Sequence, residues 1–356
     1  MLSTSLDRRR FLRMSGLALG GAAALAACGG APAGSSSGGG ASGAATPNGT
    51  VAVQLSWIKN VEFAGEYMAD TKGYYGAEGF EKVDLLAGGS ASTGVETNLV
   101  SGACWAGLSA PVLTAPAVVQ GAPLKIVGAT FQKNPFCVVS LAEKGITEPG
   151  QLVGKKIGVQ DTNDNVWTAF LKANSLDPAS ITRVPVQFDP TPVTTGEVDG
   201  FVAYLTNEPN ALKVRGFETA TLSFADNGFP LTAETVTVLQ ETLDNERDKV
   251  KAFLRAEIKG WKDALADPAE AARLAVEVYG KDLNLDRAEQ ELEMQSQILL
   301  VNPPDAKPDG LFNVSDALVE ENMRSLALAG IDLTADQLFD LSLVKEIYAE
   351  DPSLKV

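Results

Sequence analysis

The chain has 356 residues, 45% of them hydrophobic, with 29 basic against 45 acidic side chains and a formal charge of −16. That balance excludes a nucleic-acid surface, which needs clustered Lys and Arg against phosphates, whereas the basic residues here are scattered among more numerous acids. The complete absence of histidine removes the commonest general base, the Ser-His and Cys-His nucleophile pairs and every His-based zinc site, so no catalytic residue, metal or cofactor is expected.

The chain opens with Arg8-Arg9-Arg10-Phe11-Leu12-Arg13, followed by an uncharged apolar run from Gly16 to Ala27 that ends Leu25-Ala26-Ala27-Cys28. The run is too short for a permanent membrane span, and small residues stand at the expected cleavage point. Residues 1–27 therefore read as a signal peptide cut before Cys28, whose thiol is expected to be diacylated and to hold the protein on the membrane. The arginines ahead of Phe11 and Leu12 resemble a twin-arginine export signal. The remaining chain carries 25 basic against 44 acidic residues, an acidity that suits a soluble domain beside an anionic membrane. Residues 29–49 contain only Gly, Ala, Ser, Pro, Thr and Asn, so 28–49 reads as the lipidated Cys28 and a flexible tether with a reach of about 25 Å. Cys104 and Cys137 each lie in an apolar segment and read as buried thiols, although export also permits a disulfide.

From Thr50 the spacing predicts strand Val51–Trp57, helix Glu62–Lys72, strand Lys82–Leu86, helix Thr93–Val100, strand Ala103–Leu108, helix Ala110–Gln120 and strand Leu124–Thr130. Turns at Gly73, Gly88-Gly89, Gly102 and Gly121 separate these elements. The alternation predicts an α/β fold with a parallel sheet covered by helices on both faces. A second series starts after Phe136–Leu141, with strand Lys156–Val159, helix Val166–Lys172, and strands Arg183–Phe188 and Val198–Tyr204, which predicts a second lobe. After Thr221–Phe224 and the strand-like Thr235–Gln240 comes a helical tail that includes Asn245–Ala266, Ala269–Val278 and Arg287–Leu299. Asp267-Pro268 opens one of these helices and Asp286 caps another.

Several stretches together resemble a known family. They are Val53-Gln54-Leu55-Ser56-Trp57 with Phe63-Ala64-Gly65 and Lys72-Gly73-Tyr74-Tyr75, then the run from Gly128 to Pro135, then Ile146-Thr147 leading to the run from Leu152 to Val159. They resemble the substrate-binding proteins for nitrate, sulfonates, taurine and thiamine-pyrimidine precursors. The run Gly196-Glu197-Val198-Asp199-Gly200-Phe201-Val202-Ala203-Tyr204-Leu205-Thr206-Asn207-Glu208-Pro209 is similar to the pyrimidine-precursor and riboflavin-binding branch, and Phe253-Leu254-Arg255-Ala256 with Lys259-Gly260-Trp261 also fits. The resemblance covers about residues 50–300. It implies a two-lobe fold of the type II periplasmic-binding-protein kind, with a ligand cleft between the lobes and two crossovers, near Phe131–Leu141 and Phe224–Thr237. Residues 50–134 and 235–356 are expected to form lobe 1 with its helical tail, and residues 135–234 lobe 2. The partner implied is the membrane permease of an ATP-driven (ABC) importer, served by a monomeric binding protein facing the outside.

In open parallel sheets ligands bind beyond the carboxyl ends of the strands, so the loops there carry the candidate residues. After the first strand stand Trp57, Asn60, Glu62 and Phe63, an aromatic plane beside an amide and a carboxylate that can stack on a flat ligand and read its edge. The alternative reading is that Trp57 plugs the core and Glu62 favours a helix N-terminus. Gly88-Gly89-Ser90-Ala91-Ser92 is either a plain turn or a cradle for a phosphate or sulfonate. Ser109 is either a ligand donor or the cap of the next helix. In the second lobe, the loop from Gln160 to Asn165 supplies Asn163 and Asp164 ahead of a helix that carries Trp167. Asp161 and Asp164 would repel an anion held at that helix start, unless one of them is only a cap. Tyr204, Asn207 and Glu208 again combine an aromatic, an amide and a carboxylate, with Pro209 opening a helix that Glu208 could simply support.

The function expected is that of a lipid-anchored solute-binding protein for a small nitrogen heterocycle. A thiamine-precursor pyrimidine comes first, with its N–H donors accepted by Glu62, Asp164 and Glu208, and riboflavin second. Uptake of an alkanesulfonate, taurine or nitrate, or presentation of a ligand to a membrane sensor, are the alternatives. A pyrimidine-synthesising enzyme is disfavoured, because the related enzymes rely on an active-site histidine and a cysteine-rich motif that this chain lacks.

Overall fold

Ten strands divide between two five-stranded sheets in the computed structural model, which describes residues 48–89, 92–303 and 310–355. The expected signal peptide, Cys28 and tether residues up to 47 lie outside the described residues, as do Ser90 and Ala91 of the glycine-rich turn. Asn48 and Gly49, read as the end of the tether, already belong to the fold: the Asn48 amide donates to Gly79 O at 2.7 Å, and Gly49 starts the first strand.

The first half contains strands β1 (Gly49–Gln54), β2 (Phe80–Leu86), β3 (Ala106–Ser109) and β4 (Leu124–Phe131). Helices α1 (Ala64–Thr71), α2 (Tyr74–Ala77), α3 (Val95–Ser101) and α4 (Pro111–Val119) alternate with them, and a 3-10 turn, Val61–Phe63, leads into α1. Next come β5 (Phe136–Leu141), β6 (Lys156–Gln160), α5 (Asp164–Ala173), β7 (Thr182–Val186), α6 (Thr191–Thr194), β8 (Gly200–Tyr204), α7 (Glu208–Val214) and β9 (Thr219–Ser223). Strand β10 (Ala233–Leu239) then returns, followed by α8 (Gln240–Ala266), α9 (Pro268–Leu274), α10 (Arg287–Val301), α11 (Asp316–Leu328), α12 (Ala335–Leu338) and α13 (Ser342–Glu350). The caps read from sequence are in place: Asp267 accepts from the Glu270 amide at 3.1 Å and Asp286 from the Glu289 amide at 3.0 Å.

The sheets have equivalent orders, β2-β1-β3-β10-β4 and β7-β6-β8-β5-β9, so the chain passes between them after β4 and again after β9. Neither is wholly parallel, contrary to the sequence expectation. Strand β10 runs antiparallel to β3 and β4, and β5 antiparallel to β8 and β9. The cause is connectivity. Each of these strands arrives from the other sheet without a preceding βα crossover, so nothing imposes the parallel direction, and each slots into its sheet as the antiparallel fourth strand.

Helices α1 and α8 cross with glycines at the contact. A Cβ on Gly260 would lie 2.1 Å from the Gly65 carbonyl oxygen, and one on Gly65 would lie 2.0 Å from the Trp261 ring. Trp261, Tyr67 and Phe63 are buried around this crossing. It holds the turn Val61–Phe63, and with it Glu62, against the carboxyl end of the first sheet. Cys104 and Cys137 are both free and buried, in separate clusters: Cys104 packs with Val95, Leu99 and Leu124, Cys137 with Val139, Phe201 and Leu212.

Candidate functional site

The carboxyl ends of the two sets of strands face each other across a cavity. From the first sheet it is lined by Ser56, Trp57, Glu62, Ser109 and Leu113, and from the second by Phe136, Thr162, Asn163, Ala203, Tyr204, Asn207 and Glu208. Seven residues anticipated from sequence therefore meet in one space: Trp57, Glu62, Ser109, Asn163, Tyr204, Asn207 and Glu208. A wider chamber shares Ser56, Ser109, Leu113 and Thr162 with it and continues along Thr93, Thr97 and Gln120.

Four anticipated residues do not line this cavity. Phe63 is wholly buried in the core beneath it. Trp167 turns its ring into the second-lobe core beside Phe170, at 6.5 Å between centroids. Asp164 points outward, half exposed, and pairs with Arg183 Nε at 2.6 Å, while Asp161 pairs with Arg183 Nη2 at 2.8 Å. An arginine on β7 thus neutralises the two acids whose bare charge was expected to repel anions, and Asp164 is not among the residues that line the cavity. Asn60 lies behind the wall, donating from Nδ2 to Glu293 Oε1 at 2.8 Å. The Asn207 amide fits best with its nitrogen towards Glu293 Oε2 (3.0 Å) and its oxygen accepting from Asn60 Nδ2 (3.0 Å).

The Gly88-Gly89 turn supports the wall. The Gly88 amide donates to Trp57 O at 2.8 Å, and a Cβ on Gly88 would lie 2.2 Å from Leu55 O, so glycine is required for the turn to back onto the Trp57 loop. Ser109 spends its hydroxyl on Glu96, which also accepts from Thr114 at 2.8 Å, rather than on capping α4. Tyr204 stands edge-on to Phe136, with centroids 4.6 Å apart and planes at 88°.

Sequence reasoning passed over Glu234. This residue is buried within β10 with φ +47°, a left-handed conformation that costs a non-glycine residue roughly 1–2 kcal/mol. Its carboxylate accepts from Ser56 Oγ at 2.8 Å through Oε2 and from Tyr204 OH at 3.1 Å through Oε1. The signal was present as a single acid in the otherwise apolar and threonine-rich run Ala233–Leu239. Ser56, Leu113, Phe136, Thr162 and Ala203 were also missed. Phe136 and Ala203 sit inside strands, where no loop argument would find them.

The electrostatics are one-sided. Burial, followed by the charge of Glu234, holds the Glu62 carboxyl well above the usual carboxylate range. Burial likewise lifts Glu234 to about 7 and Glu208 to about 8, the latter against the opposing effect of the Tyr204 amide, which donates to Glu208 Oε2 at 3.0 Å. Glu293 is raised by burial and then by Glu289. Among the described residues, no lysine or arginine pairs with any of these four. A cavity walled by aromatic rings and protonatable carboxyls, without a cationic side chain, is suited to a flat polar ligand and poorly suited to an anion.

Comparison with known proteins agrees with this architecture. Residues 60–271 match the family described as NMT1/THI5 like. The riboflavin-binding protein RibY of Chloroflexus aurantiacus is 30% identical over 246 residues, 67% of this chain and 70% of that protein. A putative thiamine biosynthesis protein of Haemophilus influenzae is 24% identical over 238 residues, 66% of this chain and 75% of that protein. In fold, the chain superposes on the alkanesulfonate-binding protein SsuA of Xanthomonas axonopodis with a TM-score of 0.61 at 16% identity, covering 85% of this chain and 99% of that one. The periplasmic nitrate-binding protein NrtA of Synechocystis gives a TM-score of 0.60 at 12% identity, with 86% and 91% covered. The implied two-lobe periplasmic-binding-protein fold is thus the one observed. The chain belongs to the NMT1/THI5 like family.

Proposed function

We propose that this chain is the extracytoplasmic solute-binding protein of an ABC-type importer, anchored to the membrane through a lipid on Cys28, and that its ligand is a flat nitrogen heterocycle. A thiamine-precursor pyrimidine is the leading candidate. The observation that carries this reading is the interlobe cavity, where Trp57, Phe136 and Tyr204 supply ring surfaces and Glu62, Glu208 and Asn207 supply polar edges, with no lysine or arginine among its lining residues. Nitrate and sulfonates bind best where Arg, Lys or bare N–H groups converge, so the shared fold alone does not carry their chemistry here. Riboflavin is the second reading, favoured by the adjoining chamber past Ser109 and Thr162, which would take a hydroxylated tail, and by the likeness to RibY.

The test is a thermal-shift screen of the purified protein against aminopyrimidines, flavins, taurine and nitrate, since any ligand of the native state raises the unfolding temperature. A heterocycle should give the largest shift, and Trp57→Ala or Tyr204→Ala should remove most of it. Stabilisation by nitrate or taurine in preference to every heterocycle would refute the assignment.

A further inference from the structure

We infer that the ligand is held as a cation, a flat heterocycle with one positive charge on nitrogen, in the ring or on a substituent, paired with the carboxyl group of Glu234 and its neighbours Glu62 and Glu208. This rests on the heterocycle reading of the cavity and adds a charge to it.

The negative charge to be paired is on Glu234. Ser56 Oγ donates to its Oε2 at 2.8 Å and Tyr204 OH to its Oε1 at 3.1 Å, so both oxygens accept, which is the pattern of an ionised carboxylate. A buried charge is costly unless it is paired. Among the described residues no lysine or arginine pairs with Glu234, and none lines the cavity. Glu62 adds an open acceptor. Its Oε1 lies 3.2 Å from Ser56 Oγ, so a proton that it shares with the Ser56–Glu234 pair sits on that oxygen. Its Oε2 is buried and without a protein partner, on a residue that lines the cavity. That oxygen accepts whether the group is ionised or not, and an N–H of the ligand satisfies it.

The surroundings have one sign. Glu234 faces Glu62 from β10, Glu293 from α10 and Glu208 from α7. Glu289 of α10 faces Glu208, and Glu66 of α1 faces Glu234. The phenols of Tyr204 on β8 and Tyr67 on α1 face the same acids. Arg215, which acts on Glu289, is held by Asp189 at 3.0 Å. Glu208 of the second lobe is thus brought against acids of the first with no protein cation pairing them, and a positively charged ligand offsets their repulsion. Trp57, Phe136 and Tyr204 suit the same charge, because a cation is attracted to the face of an aromatic ring. Burial holds Glu234 at about 7 and Glu208 at about 8; a cation beside them lowers both, so its binding at pH 7 expels protons.

The test is calorimetry on the full chain at pH 7 with two probes of one shape. One is 4-amino-5-aminomethyl-2-methylpyrimidine, whose substituent is an ammonium, and the other its 5-hydroxymethyl counterpart, whose substituent is uncharged. The ammonium probe should bind at least about tenfold tighter and release protons, read from titrations in two buffers of different ionisation heat. If the charge resides on the ring instead, the affinities match and the ultraviolet spectrum of the bound hydroxymethyl probe is that of the ring-protonated pyrimidine. Glu234→Gln should abolish the preference or the ring-protonated spectrum; if that variant misfolds, Glu208→Gln should reduce whichever is seen. Matching affinities with the neutral-ring spectrum, or a preference unchanged in the folded variant, overturn the inference. If neither pyrimidine binds, benzylammonium against benzyl alcohol decides the charge alone. Preference for benzylammonium then refutes the heterocycle and keeps the cation, whereas binding of neither, or no preference between them, overturns both.

Discussion

Tyr204 and Glu234 belong to different sheets, and the phenol of one donates to the carboxylate of the other across the cleft at 3.1 Å. Glu234 is buried and Tyr204 partly so, and both contact points are set by strand ends: Tyr204 is the last residue of β8, and Glu234 is the left-handed residue near the start of β10. Asn210 Nδ2 and Ser296 Oγ, 3.0 Å apart, make a second such link between α7 and α10. The lobes are therefore described in a closed arrangement, and the wall of the cavity is also part of the seam that closes it.

Tyr204→Phe should weaken ligand binding because it leaves Glu234 with one donor fewer in a buried site. The expected cost is about 1–2 kcal/mol, or roughly five- to thirtyfold in affinity. Calorimetric titration measures it, and small-angle scattering should show a more open average shape. Unchanged affinity would remove Tyr204 from the seam.

Stability should fall as pH rises from 5 to beyond 8. Glu234 and Glu66 are held up to about 7 and Glu208 to about 8, from an ordinary value of 4.5, with burial as the first cause in each. An acid with a raised folded pKa binds its proton more tightly when folded. Its contribution is complete below about 4.5 and is lost as pH climbs through 7 and then 8. Calorimetric unfolding temperatures should be highest near pH 5, and Glu208→Gln should flatten the upper part of the decline.

Gly260→Ala should destabilise the chain by about 1–3 kcal/mol, because its Cβ would meet the Gly65 carbonyl oxygen at 2.1 Å and force α1 away from α8. Ligand affinity should drop with it, since α1 carries the Glu62 turn. Gly76→Ala, where a Cβ meets nothing within 4 Å, is the control and should be neutral in denaturant titrations.

Asp164→Asn should leave ligand affinity within about twofold, because its carboxylate pairs with Arg183 at the surface and an exposed pair contributes little. A larger loss would place Asp164 in the site after all.

Cys104 and Cys137 should resist alkylation in the folded protein. Burial raises the Cys104 thiol to about 11 and drives Cys137 up as well, so the reactive thiolate is scarce and shielded. Mass spectrometry should find both modified only after denaturation.

The loops after the strands were legible as candidate binding segments, and the reason is topological: in α/β sheets side chains beyond the strand ends face the cleft whatever the ligand. Trp57, Ser109 and Asn207 follow that rule. Phe63 and Trp167 break it because they stand on helical turns, where a shift of one residue rotates a side chain by about 100° from cleft to core. Asp164 breaks it because Arg183, 19 positions further on, reaches round to hold it at the surface.

What the sequence by itself determined is the run of strands and helices, the caps at Asp267 and Asp286, and the pattern of a two-lobe α/β protein, since these follow from local periodicity and turn chemistry. Only the tertiary structure decided that β5 and β10 insert antiparallel, that Glu234 turns left-handed beneath the cavity, and that Ser56 stands between two carboxyls. Those outcomes depend on which strand reaches which sheet and on the low polarity created when the lobes meet. No local window of the chain contains both partners: Ser56 and Glu234 are 178 positions apart, and their shared hydrogen bond exists only where the two segments converge.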